Sequence, residues 1–196
     1  SERDGTSALN ARLCRDVAAL APSGGDAALA YTLGSCDRSV GATLAGKLAL
    51  GEIKAPAAGV SLSFTGYAGQ AFGFACTRGM RLSLSGFAND ALGEAMSGGS
   101  IAVFPPAEVR VGADADLSLV GNAVAYGAIG GALFVRGRAG QRVGVRNSGA
   151  TIVVEGAGKY AFEYMTGGVG VVLGEIGAVI ASGMTGGVVY GLEVPR

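Results

Sequence analysis

The string G-x-x-G-x-x-x-G recurs along this chain, and no other feature limits its fold as strongly. It runs Gly66, Gly69, Gly73, then Gly86, Asn89, Gly93, with a small substitute in the middle. Gly137, Gly140, Gly144 and Gly174, Gly177, Ala181 repeat it. Two further copies are degenerate: Val120, Ala123, Gly127 and Glu155, Gly158, Phe162. Phe162 stands where the repeat favours a small residue.

Four residues past most third positions comes a second signature. It reads TRGMRLSLSG from Thr77, SGGSIAVFP from Ser97, SGATIVVEG from Ser148, TGGVGVVLG from Thr166 and TGGVVYGLE from Thr185, with IGGALFVRG from Ile129 as a variant. Each joins a small residue and glycine to a short apolar run. The spacing is roughly nineteen residues, too short for a βαβ unit and suited to one turn of a parallel β-solenoid. One long step holds FPPAEVRVGADADL, which reads as an insertion between coils.

The predicted fold is all-β: a right-handed parallel β-helix of about seven coils, from near Val40 to Leu192. Stacked coils stand about 4.8 Å apart, so each corner lies against the corners above and below. Glycine permits the positive φ and close backbone approach such corners need. Ile101, Val103, Leu133, Val135, Ile152, Val154, Val171 and Leu173, or their sequence neighbours, are expected to fill the interior.

The N-terminal stretch differs. Thr6 or Ser7 can cap a helix whose Leu9, Leu13, Val17 and Leu20 share one face. Pro22 to Gly25 stop it, Ala27 to Leu33 looks like a strand, and Val40 to Leu50 resembles a first coil. Residues 1–35 are read as a cap over an open sheet edge, and residues 36–196 as the glycine-repeat domain.

Composition then narrows the chemistry. Glycine contributes 36 of 196 residues, but only five prolines and no three-residue period exclude collagen. Fifteen basic and fifteen acidic side chains cancel, so no chain-wide field attracts nucleic acid or anionic lipid. There is no histidine, which removes the commonest general base and most zinc chemistry. Cys14, Cys36 and Cys76 form no CxxC pair and are expected to be buried or partly buried free thiols, as in a reducing cytosol. No basic segment followed by an apolar one suggests a secretory leader. Leu117 to Val135 carries no charge over a membrane-spanning length, yet its glycines fit the repeat better.

Several motifs invite sharper readings. TGGVGVVLG suggests dinucleotide binding, but a β-run, not a helix, follows its glycines. Arg146 and Asn147 lie about one turn from Glu163 and Tyr164, so a small polar site can form there; a corner ladder satisfying backbone groups is the plainer reading. Arg136, Arg138, Arg142 and Arg146 form a basic cluster suited to a solvated face or an acidic partner. Asp114 and Asp116 lack a third ligand for calcium. No catalytic, cofactor-binding or metal-ligating residue is assigned.

CDRSVGATLAGKLA from Cys36, FTGYAGQAFG from Phe64, GFANDALGEAMSGG from Gly86, VRNSGATIVVEG from Val145 and EYMTGGVGVVLG from Glu163 resemble the C-terminal domain of the glutamate synthase large subunit. The resemblance spans roughly Ala27 to Glu193 and implies a right-handed parallel β-helix. It also implies partner domains: a glutamine amidotransferase, and a barrel holding FMN and an iron–sulfur cluster. The β-helix would then be a non-catalytic, cytoplasmic part of an oxidoreductase that holds those domains in register for ammonia transfer. It would bind neither cofactor itself. No position matches the family's catalytic motifs. The resemblance is equally consistent with a separately encoded subunit and with a domain of a longer chain.

Two alternatives stand beside this reading. One is the β-helix subunit of another oxidoreductase, such as formylmethanofuran dehydrogenase. The other is a free-standing β-helix enzyme acting on carbohydrate, which usually aligns aspartates or arginines along a groove; none align here.

Overall fold

A computed structural model describes residues 7–20, 27–109 and 117–192. Its core is a single parallel sheet that climbs as a solenoid of about six turns, slightly fewer than the expected seven. The rungs are β1 (Ala27–Leu33), β2 (Val60–Ala68), β3 (Met80–Ala88), β4 (Ser97–Phe104), β5 (Ser118–Val120), β6 (Gly130–Ala139), β7 (Ser148–Ala157), β8 (Thr166–Val172) and β9 (Gly186–Gly191). They stack as β1-β2-β3-β4-β6-β7-β8-β9, and β5 lies between β3 and β6.

Period-two alternation sets the buried face. In β3, Met80, Leu82, Leu84, Gly86 and Ala88 are buried while the residues between them are only partly so. Parallel register then stacks like on like. Leu62, Leu82, Ile101, Leu133 and Ile152 form one interior column, and Phe64, Leu84, Val103, Val135, Val154 and Val172 form another. Burying such columns is the main favourable term, at about 25 cal/mol per Å² of apolar surface.

Six of the eight expected interior residues are buried, and two are not. Val171 is half-buried and Leu173 is 49% exposed; Gly170 and Val172 face inward instead. Gly170 sits on the rung above Ile152, and the ring of Phe162 fills the space its missing side chain leaves. Phe162 is fully buried, so the apparent flaw in the repeat is a core residue.

The second glycine of the S/T-G-G signature has a local reason. Gly99, Gly168 and Gly187 have φ of 67°, 85° and 89°, and the ladder shifts register at these places. Each marks a β-bulge that turns the chain back into a strand.

Two expectations need correcting. Val40 to Leu50 is not a coil: Val40 and Gly41 complete the first turn, after which Ala42–Ala49 forms helix α2 and buries Leu44 and Ala45. ATLAGKLA lacks the alternation a strand needs and presents good helix formers. The stretch after Phe104 interrupts a coil rather than separating two, because β4 and β5 are two halves of one rung. Asp114 and Asp116 lie outside the described residues.

The N-terminal helix α1 (Ala8–Leu20) packs on α2 and meets the first rung at Tyr31. Leu13 and Val17 are fully buried, and the Ser7 hydroxyl accepts from the Asn10 amide as an N-cap. Asn10 ties α1 to the first turn: its Oδ1 accepts from Gly41 N at 2.9 Å and its Nδ2 donates to Ser39 O at 3.1 Å. Tyr31 of β1 donates to Asp16 at 2.8 Å beneath the Arg12 guanidinium. The β1 side of the sheet is thereby partly covered.

Candidate functional site

The turns between rungs are the most unusual part of the backbone. After β2, three alternate residues adopt left-handed φ: Ala71 at 60°, Gly73 at 69° and Ala75 at 55°. The outer two donate to the next coil, Ala71 N to Asp90 O and Ala75 N to Glu94 O, each at 2.9 Å. The middle one donates back to Val40 O at 2.9 Å. The same scheme recurs at 91/93/95, 123/125/127, 142/144/146 and 160/162/164; at 179/181/183 the left-handed φ values recur and Ala181 N donates back to Ala161 O. Inter-coil hydrogen bonds therefore offset the cost of left-handed backbone at many non-glycine positions.

Side chains of the outer two positions form two columns on the surface. In the first three complete turns they are Ala71, Ala91 and Ala123 beside Ala75, Ala95 and Gly127. The next two turns carry Arg142 and Tyr160 in one column, Arg146 and Tyr164 in the other. The Arg142 guanidinium lies 5.7 Å from the centroid of the Tyr160 ring. Arg146 and Tyr164 line a cavity of about 370 Å³ with Thr166, Gly183 and Thr185.

The expected pairing across one turn thus resolves into parts. Arg146 and Tyr164 do share a cavity. Asn147 turns inward and is fully buried: its Nδ2 donates to Ala150 O, and its Oδ1 accepts from the amides of Gly149 and Ala150. Glu163 meets Arg146 through its backbone carbonyl. Asn147 is therefore the expected corner residue satisfying backbone groups, whereas Arg146 and Tyr164 face outward. Of the other arginines, Arg138 pairs with Glu175 and Arg136 is exposed. The basic cluster is divided between an ion pair, a ring contact and the cavity.

No motif in the sequence singles out Tyr160. Shifting the repeat by one turn sets it on Arg142, as it sets Tyr164 on Arg146, so repeat alignment is the signal that finds it. A second, more apolar cavity of about 350 Å³ lies beside the stacked rings of Tyr67 and Phe87, lined also by Leu119 and Asn89.

Thr166–Val172 is strand β8, and the following residues are bends and a bridge to Ile176 before β9, so no helix N-terminus stands where a dinucleotide pyrophosphate would sit. Leu117–Val135 holds β5, a turn and part of β6, and no described helix is long and apolar enough to cross a membrane. Among the described residues no three His, Cys, Asp or Glu side chains gather as metal ligands. The cysteines are on α1, on the loop after β1 and in the turn after β2.

Cys14 and Cys76 are buried free thiols, but Cys36 is exposed, contrary to expectation. Burial pushes the Cys76 thiol up to about 12, and burial together with donation to Asp16 raises Tyr31. Both groups stay protonated in the fold at pH values where the unfolded chain ionises. Their stabilisation is complete below the unfolded pKa and is lost as pH rises through the folded one. We expect the urea midpoint to fall steadily above about pH 9, with Cys76 contributing up to about 1.4 kcal/mol per pH unit. A thiol reagent at neutral pH should label Cys36 alone. A flat midpoint up to pH 11, or rapid labelling of Cys76, would contradict this placement.

A stack of parallel rungs with glycine-marked, left-handed turns defines the glycine-repeat β-solenoids. The chain belongs to the GXGXG motif family, which matches residues 10–195. It is 50% identical over 162 residues to a ferredoxin-dependent glutamate synthase of Cyanidium caldarium, covering 82% of this chain and 10% of that protein. It is 48% identical over 158 residues to ferredoxin-dependent glutamate synthase 2, chloroplastic, of Arabidopsis thaliana, covering 80% and 10%. With the glutamate synthase (NADPH) large chain of Bacillus subtilis strain 168, identity is 42% over 170 residues, covering 86% and 11%. The chain thus spans about a tenth of the length of these relatives.

Proposed function

We propose that this chain is the structural β-helix portion of a glutamate synthase-type oxidoreductase, without catalytic residues of its own. In this reading it holds an amidotransferase domain and an FMN and iron–sulfur domain in register for ammonia transfer, in a reducing compartment such as the cytosol. The carrying observation is how the repeat is used. Its glycines serve turns, bulges and close rung contacts, and the turn amides are committed to neighbouring coils. A solenoid whose coils are tied together by repeated backbone hydrogen bonds suits the fixing of distances between other domains. The relatives named above support glutamate synthase over the other oxidoreductase considered.

Spectroscopy and assembly test it together. The isolated chain should show no flavin absorbance and no stoichiometric metal. The complete enzyme should lose glutamine-dependent glutamate synthesis when this portion is removed, while the amidotransferase portion still hydrolyses glutamine. Stoichiometric flavin on the isolated chain, or full coupled activity without it, would refute the proposal.

A further inference from the structure

The geometry points to the two Arg–Tyr pairs, Arg142/Tyr160 and Arg146/Tyr164, as a docking patch for a carboxylate-bearing segment of a neighbouring domain. This inference rests on the scaffold reading above and assigns the surface through which it acts.

The rungs differ at these positions. In the preceding turns the same positions hold alanine or glycine, so the turn needs nothing larger. Arg142, Arg146 and Tyr164 nonetheless project into solvent, with Tyr164 58% exposed. They add nothing visible to the core, and holding long side chains at a surface costs rotamer entropy. Arginine and tyrosine, with tryptophan, are the side chains most enriched among the dominant residues of interfaces.

The charge pattern selects the partner. The Arg146 guanidinium has no hydrogen-bond or ion-pair partner among the described residues. It lines a cavity beside Thr166 and Thr185, where the Tyr164 ring lies over Gly183. A planar fork of donors flanked by hydroxyls matches a carboxylate, which a guanidinium binds through two parallel hydrogen bonds. Arg142 lies over the Tyr160 ring, which leaves its edge N–H groups for a second acidic group of the same segment. The two arginines are four residues apart in sequence and occupy parallel columns. An extended acidic segment can therefore meet both.

Arginine modification in the complete enzyme tests this. Phenylglyoxal should modify Arg146 at least tenfold more slowly in the assembled glutamate synthase than in the isolated chain. Replacing Tyr164 with a photoreactive benzoylphenylalanine should link it to a peptide of another domain with Asp or Glu within a few residues. The Arg142→Gln/Arg146→Gln variant should leave the isolated chain's melting midpoint unchanged, because both side chains are exposed. Equal modification rates in the two states, or photolinks confined to this chain, would overturn the docking assignment and leave the scaffold reading standing. Protection of the isolated chain by millimolar inorganic phosphate would overturn it too, in favour of a small-anion site. If the intact chain fails to stay with the other domains on gel filtration, the scaffold reading falls and this assignment with it.

Discussion

Gly86→Ala should lower the melting midpoint by about 10 °C or prevent folding, corresponding to a loss of roughly 3 kcal/mol or more. A methyl group at Gly86 would drive into the carbonyl oxygen of Gly66 on the rung below. Gly66 is itself pressed against the Leu33 carbonyl in the same way, so three rungs are stacked through bare backbone. Neither glycine can yield alone, because the parallel ladder fixes rung spacing at about 4.8 Å. φ at Gly66 is 120°, a conformation few L side chains adopt. The proper control is Gly46→Ala in α2, where a methyl group meets nothing within 4 Å. That substitution should be neutral to stabilising, since alanine favours helix. A Gly86→Ala protein melting with the parent would show that the rungs can part locally.

Gly140 illustrates the same constraint without special φ. Its repeat position suggests a left-handed corner, but the corner residue is Gly144, at 65°. Gly140 is small because Asn122 Oδ1 and Gly121 O would lie 2.6 and 2.8 Å from a methyl carbon placed there. The three glycines of the repeat therefore answer to different demands. The first and second allow close approach between rungs, and the third turns the chain.

What could be read from residues alone follows from which interactions are periodic. Rung-to-rung contacts repeat every turn, so the solenoid and interior positions such as Ile101, Leu133 and Ile152 were legible. Features present once were not. Helix α2 replaces part of a coil, and β5 completes a rung begun by β4. VGVVLG has apolar side chains on both faces, so alternation could not show that Val172, not Val171, turns inward. The surface patch was half visible: Arg146 and Tyr164 are one turn apart, but only the columns of left-handed residues show Arg142 and Tyr160 making a parallel pair.

Phe162→Ala should destabilise the chain by about 3 to 5 kcal/mol, the usual range for emptying a buried aromatic site. The ring fills space that three rungs leave open. A methyl group on Gly170 would come within 2.5 Å of Phe162 Cε1, and one on Gly144 within 2.6 Å of its Cδ1. Phe162 also holds φ at 58°, so its ring must contribute more than the left-handed backbone costs. The ring and Gly170 should accordingly couple strongly. Gly170→Val in the parent must displace a buried ring and should cost on the order of 3 kcal/mol. In the Phe162→Ala background the same valine would enter the vacated space and continue the column above Ile152, so it should recover part of the loss. The sign of the Gly170→Val effect should thus reverse between the two backgrounds in paired urea unfolding measurements. Additive losses would mean that Phe162 and Gly170 do not share that space, and that β8 turns its other face to the core.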